Sequence, residues 1–143
     1  MKRSEFLVCV ALTICGLPYA ASATAALYTR LGGEPPLRRV IEGLYARMLA
    51  DPRTRDRFVD VDMARLKNQV FTFIAQAAGG PQKYIGKDIR FIHTKLKITE
   101  IEWAATVAAL SEAMDQLHVG DPEKHDVLAL IGSLKSDIVH PPA

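Results

Sequence analysis

The chain has 143 residues, enough for one domain at the usual ~100–200 residues each and too few for a multidomain enzyme. Hydrophobic residues make up 49% and charged residues 24%, which suits a globular protein and excludes a disordered one. Lysine and arginine number 18 against 16 acidic residues, and no basic run exceeds two, so nothing points to nucleic acid.

The chain opens on Met1-Lys2-Arg3, then an apolar run from Phe6 to Leu17, then Pro18 and a string of small residues. This is the order of a secretory leader, and Ala21-Ser22-Ala23 and Ala23-Thr24-Ala25 both fit the cleavage rule. The expectation is a signal peptide over 1–25, cut after Ala23 or Ala25, and one domain over 26–143. The run is shorter than the ~20 apolar residues of a membrane span, so no stable span is expected after cleavage. An uncleaved anchor or a loose tail is the plainer alternative. Cys9 and Cys15 leave with the leader, so the mature chain has no disulfide, no cysteine metal site and no thiol nucleophile. The expected location is periplasmic or secreted.

Leu37, Val40, Ile41, Leu44, Tyr45, Met48 and Leu49 recur at helical spacing and predict a long first helix. Pro35-Pro36 suits its first turn and Asp51-Pro52 its end. Residues before Leu37 allow a short extra turn. Asp62 reads as the cap of a second helix carrying Met63, Leu66, Val70, Phe73, Ile74 and Ala77, ended by Gly79-Gly80-Pro81. A polar stretch leads to a short segment with Ile89, Ile92, His93 and Leu96 on one side. Thr99 and Glu102 predict a capping box for a longer helix, whose apolar side holds Trp103, Val107, Leu110, Met114 and Leu117. After Gly120-Asp121-Pro122, one last helix is expected through Val127, Leu128, Ile131, Leu134 and Ile138, closed by Pro141-Pro142. No period-2 run or hairpin signal occurs, so the fold class is all-α.

Four histidines lie in the mature chain. His118, His125 and His140 read most simply as surface residues. His93 stands among apolar neighbours, where an imidazole needs a partner. It is either a core histidine bonded to a backbone carbonyl or an axial ligand of haem iron. Tyr45 on the inward stripe and Phe58 after Arg53, Arg55 and Arg57 are ordinarily core residue and plug. Helices that bury Tyr45 and His93 around a cavity could also hold a planar apolar cofactor with a metal at its centre. No zinc-protease motif, nucleophile elbow or P-loop is present.

In order along the chain stand Leu27-Tyr28-Thr29-Arg30-Leu31-Gly32-Gly33, Leu44-Tyr45, Leu49-Ala50-Asp51-Pro52, Arg57-Phe58, Asp62-Met63-Ala64-Arg65, Gly79-Gly80-Pro81, Tyr84-Ile85-Gly86, His93 and Ile98-Thr99. Together, from Leu27 to Val139, they resemble a group 1 truncated haemoglobin. The resemblance implies a shortened globin, a two-over-two helical sandwich around haem b. By position, His93 matches the proximal histidine on the iron and the metal ligand. Phe58 matches the phenylalanine against the porphyrin, and Tyr45 matches the distal tyrosine that hydrogen-bonds bound ligand. Leu66, Gln69 and Val70 fall on the distal helix, and Phe73 on the pocket or its access channel.

The sequence departs from the family's pattern on the distal side. Members often place glutamine at the position of Leu66 or Val70, and lysine or histidine at that of Gln69. Here Tyr45 is left as the main distal donor, and the sixth iron position is expected to be open in the ferrous state. Haem propionates need cations or hydroxyls at the rim. Lys67, Lys83, Tyr84, Lys87, Arg90 and Lys95 are candidates, with Tyr84 and Arg90 the first choices among them; a merely solvated basic rim is the plain alternative for each. The resemblance implies reversible binding of oxygen, nitric oxide and carbon monoxide by a monomer or weak dimer. The alternative is an enzyme, a nitric-oxide dioxygenase or peroxidase-like protein, which needs an external electron donor.

Overall fold

The first long helix, α2, spans Glu34–Ala50 and follows a single turn, α1, at Leu27–Arg30. The structure is a computed structural model that describes residues 25–140. The expected leader therefore lies, but for Ala25, outside the described residues. The stripe on α2 buries Leu37, Val40, Ile41, Leu44 and Tyr45. Asp51 caps its end in an extended conformation, as the following proline demands. A 3-10 turn at Arg55–Phe58 leads to α3, Met63–Ala77. There the Asp62 carboxylate accepts from the Arg65 amide at 3.1 Å, satisfying a donor that has no partner within the helix. Gly79 follows α3 at φ 86°, and a Cβ there would sit 2.9 Å from that of Ala26, so close approach and backbone angle both favour glycine.

The short helix α4 runs Ile89–Leu96. Asp88 caps it through the Phe91 amide at 3.0 Å, and Lys97 ends it in the left-handed region. The capping box expected at Thr99 and Glu102 is present in both directions and starts α5, Glu100–Gln116. The last part of the chain differs from expectation. It is two pieces, α6 at Asp121–Gly132 and a turn, α7, at Lys135–Ile138. Helical periodicity bridges Ser133 and Leu134, but the backbone ladder changes there: the Ser133 amide still bonds to the Ala129 carbonyl four residues back, whereas the Leu134 amide bonds to the Ile131 carbonyl three residues back. Among the described residues the sole β feature is an isolated parallel bridge between Ile98 and Val139.

The core lies where α2 packs on α5 and α3. Phe71 and Met114 are fully buried, each contributing roughly 1.5–3 kcal/mol by leaving water. The inward side of α5 is only partly the one its large residues suggest. Ala105, Ala109, Leu110, Ala113 and Met114 are buried, Trp103 and Val107 half-buried, and Leu117 exposed. Small residues let α5 approach α2: a Cβ on Gly43 would stand 3.1 Å from the Ala113 Cβ. α4 has α7 as its main packing partner rather than this core. No helix among the described residues is long and apolar enough to cross a membrane.

Candidate functional site

α2 carries Tyr45 into the interior, where it is 8% exposed. Burial disfavours the phenolate and pushes the Tyr45 pKa up to about 12, so the hydroxyl keeps its proton. Among the described residues no partner stands within hydrogen-bond distance of that hydroxyl. The Tyr45 ring meets Phe58 edge to face, centroids 5.6 Å apart at 86°. Sequence reading treated these aromatics separately; the structure brings them together.

Two tethers hold the turn that presents Phe58. Buried Thr54 donates its hydroxyl to the Met48 carbonyl at 2.7 Å. Arg57 reaches the far side of the site. It donates to both Glu102 oxygens at 2.5 and 3.0 Å and to the Leu96 carbonyl at 2.7 Å. Glu102 also accepts from the Thr99 amide at 2.8 Å. The Arg57 guanidinium, helped by Thr99, holds the Glu102 carboxyl below the ordinary carboxylate range. One side chain thus joins the Phe58 turn to the end of α4 and the start of α5. Sequence reading missed this link, because the partners are 45 residues apart.

α4 carries His93. Its Nδ1 lies 2.8 Å from the Ile89 carbonyl one turn earlier. As a carbonyl only accepts, Nδ1 holds the proton and Nε2 presents a lone pair. Among the described residues that Nε2 has no hydrogen-bond partner. Carbonyl-bound Nδ1 is the arrangement that fixes the ring and tautomer of a metal-binding histidine.

The surroundings are apolar and incompletely covered. α4 buries no residue, although Ile89, Ile92 and Leu96 share the side of His93. Across from them Phe58, Leu66, Val70 and Phe73 pack on the core yet remain half-buried. No group of three histidine, cysteine or acidic side chains among the described residues could hold a metal ion by itself. A single imidazole amid apolar walls suits a metal that arrives with its own ring of ligands, so the residues present fit haem.

The rim differs in part from expectation. Tyr84 meets Phe73 edge to face at 5.2 Å, but its hydroxyl donates to the Lys87 carbonyl at 2.9 Å, so its proton is already engaged. Arg90 is exposed and lies 3.9 Å from Asp137. Lys67 pairs with Glu42 at 2.7 Å, and Gln69 is exposed. His118 and His125 are exposed as expected. His140 is a correction: it is half-buried, with its amide on the Ile98 carbonyl at 3.1 Å and Nε2 2.9 Å from the Asp137 carbonyl. Its place in a proline-rich tail concealed this.

Residues 26–140 match the family described as bacterial-like globin. The chain is 32% identical over 114 residues to the group 1 truncated hemoglobin GlbN of Mycolicibacterium paratuberculosis, covering 80% of this chain and 84% of that one. The chain belongs to the group 1 truncated haemoglobins. It is 30% identical to the group 1 truncated hemoglobin of Chlamydomonas moewusii, covering 81% of this chain and 69% of the relative. In three dimensions this truncated haemoglobin resembles that of Tetrahymena pyriformis in its Fe(III) form, with TM-score 0.77, 25% identity and 81% and 99% of the two chains covered. It also resembles the 2/2 hemoglobin of Synechococcus, solved in the cyanomet state with covalently attached heme, with TM-score 0.76, 29% identity and 80% and 98% coverage. The expected all-α, two-over-two fold is thereby shown.

Proposed function

We propose that this truncated haemoglobin holds haem b through His93 Nε2 and reversibly binds oxygen and other diatomic ligands. The observation that carries the reading is the His93 ring, with Nδ1 committed to the Ile89 carbonyl and Nε2 presented among uncovered apolar side chains. When bound, haem would supply an iron able to take a small gas molecule.

This chain's residues have divided tasks. His93 holds the metal, and its bond to Ile89 keeps the ring from turning. Phe58, Leu66, Val70 and Phe73 offer an apolar wall and keep water out. Tyr45, protonated and without a hydrogen-bond partner among the described residues, has a hydrogen bond to offer a polar guest. With Leu66 and Val70 apolar, Tyr45 is the main donor on that side. Arg90 is the more suitable rim cation for a propionate, because the Tyr84 proton is engaged elsewhere. The leader features at residues 1–25 support a periplasmic or secreted protein, and the family resemblance implies a monomer or weak dimer served by an external electron donor.

Absorption spectra of ferric, ferrous and CO-bound protein test the reading. His93→Ala should lose tight haem binding and the five-coordinate ferrous spectrum; retention of that spectrum would sink the assignment. Tyr45→Phe should speed oxygen release about threefold to tenfold, the worth of one buried hydrogen bond at roughly 0.5–1.5 kcal/mol, and alter CO release less. Unchanged oxygen release removes Tyr45 from the distal role. Repeated rather than single removal of nitric oxide with an added reductant would favour the enzymatic alternative.

A further inference from the structure

Charge is unevenly distributed along this chain. Between residues 83 and 97 stand Lys83, Lys87, Arg90, Lys95 and Lys97 against Asp88 alone, whereas the rest of residues 25–140 holds eleven cations and fourteen acids. The cations of this stretch also differ in company. Among the described residues, ten of the sixteen lysines and arginines lie within 4 Å of a carboxylate. Of the six that do not, four are Lys83, Lys87, Lys95 and Lys97. The one acid, Asp88, is engaged in capping α4.

Phe91 lies among them. It is 52% exposed on the side of α4 away from Ile89, Ile92 and His93, with Lys95 Nζ 4.8 Å and Lys87 Nζ 5.9 Å from its ring centre. Phe91 and Lys95 are one turn apart on α4, and Lys87, just before the Asp88 cap, reaches the same ring, so the three form one outward strip. An exposed aromatic flanked by unpaired ammonium groups is the composition of a binding centre with a charged surround. Its charge calls for an acidic counterpart. A membrane surface is the weaker match: an interfacial helix needs a broad apolar face, whereas on α4 Ile89 and Ile92 are half-buried and only Phe91 and Leu96 are exposed.

We propose that the outward face of α4, centred on Phe91, Lys87 and Lys95, is the docking surface for an acidic electron-donor protein. The donor's electron would reduce ferric iron to ferrous, one electron lost by the donor for each gained. The destination of that electron rests on the haem reading above; the docking rests on the face alone. Here the helix that presents His93 on one side meets the partner on the other.

The probe is a small acidic flavodoxin titrated into the holoprotein by calorimetry, then used in reduced form to reduce ferric protein by stopped flow. Lys87→Glu with Lys95→Glu should weaken binding at least tenfold at low salt and slow reduction by flavodoxin at least tenfold more than reduction by dithionite. Wild-type binding should fall steeply as salt rises. The control pair, Arg39→Glu with Arg65→Glu, reverses two unpaired cations elsewhere and should change binding less than threefold. Phe91→Ser should weaken binding without flattening its salt dependence. Equal loss in the control pair, salt-independent binding, or binding only to phosphatidylserine vesicles would overturn the proposal. A colourless protein that still binds flavodoxin in this pattern would overturn the haem reading and leave the docking surface standing.

Discussion

Arg57→Ala cuts the link between the Phe58 turn and the two helices behind the site. It removes donors from both Glu102 oxygens and from the Leu96 carbonyl. Charge-assisted hydrogen bonds are worth about 1.5–3 kcal/mol, but the Arg57 side chain is 37% exposed, so water replaces part of the loss. Glu102, 13% exposed, keeps its bond to Thr99 and is not stranded. The net cost should be about 1–2 kcal/mol, or a fall in Tm of roughly 4–10 °C for a domain of this size. The pH dependence has a definite sign. Glu102's folded pKa is depressed chiefly by Arg57, so the pair's contribution is fully present above the unfolded value near ~4.3. It is lost as pH falls through the lower folded value. Urea unfolding followed by circular dichroism should show the wild-type advantage at pH 7 shrinking towards pH 3. Because Leu96 ends the helix bearing His93, loss of haem to an apomyoglobin acceptor should also quicken. A change below 0.5 kcal/mol, or an advantage constant down to pH 3, would refute the latch.

Gly43→Val should destabilise the protein by about 1–3 kcal/mol, because the added atoms meet Ala113 where α2 and α5 are closest; urea unfolding checks this, and a neutral variant would mean that the helices part easily. In spectrophotometric titration of the apoprotein, the tyrosine ionising near pH 12 should be Tyr45 and should vanish in Tyr45→Phe. A phenolate at Tyr45 near pH 10 would contradict its burial.

Local chemistry made much of the fold legible. Asp62 and the Thr99–Glu102 box mark helix starts by satisfying amides that lack partners, and both are found where read. The stripe on α2 is equally plain from Leu37 to Tyr45, where the large apolar residues face inward; Leu49, read into the same stripe, is exposed near the helix end. α5 deceived the reading: its closest packing uses Ala105, Ala109 and Ala113, and alanines weigh little beside Trp103 and Val107. The division between α6 and α7 was hidden because apolar spacing continues across a break set by backbone hydrogen bonds. At the site, His93 and Tyr45 were visible as polar groups on apolar stripes. The contact of Tyr45 with Phe58, the reach of Arg57 and the anchoring of His140 belong to tertiary structure and leave no periodic trace.

α4 rests mainly on α7, and His140 bonds back to Ile98 beside the bridge from Val139. The segment presenting His93 is thus buttressed by residues some forty positions further along the chain. A nascent chain that has not yet made residues 135–140 could close α2, α3 and α5 on one another while α4 lacked its support. Completion of the site should therefore follow, and not accompany, the packing of the three long helices.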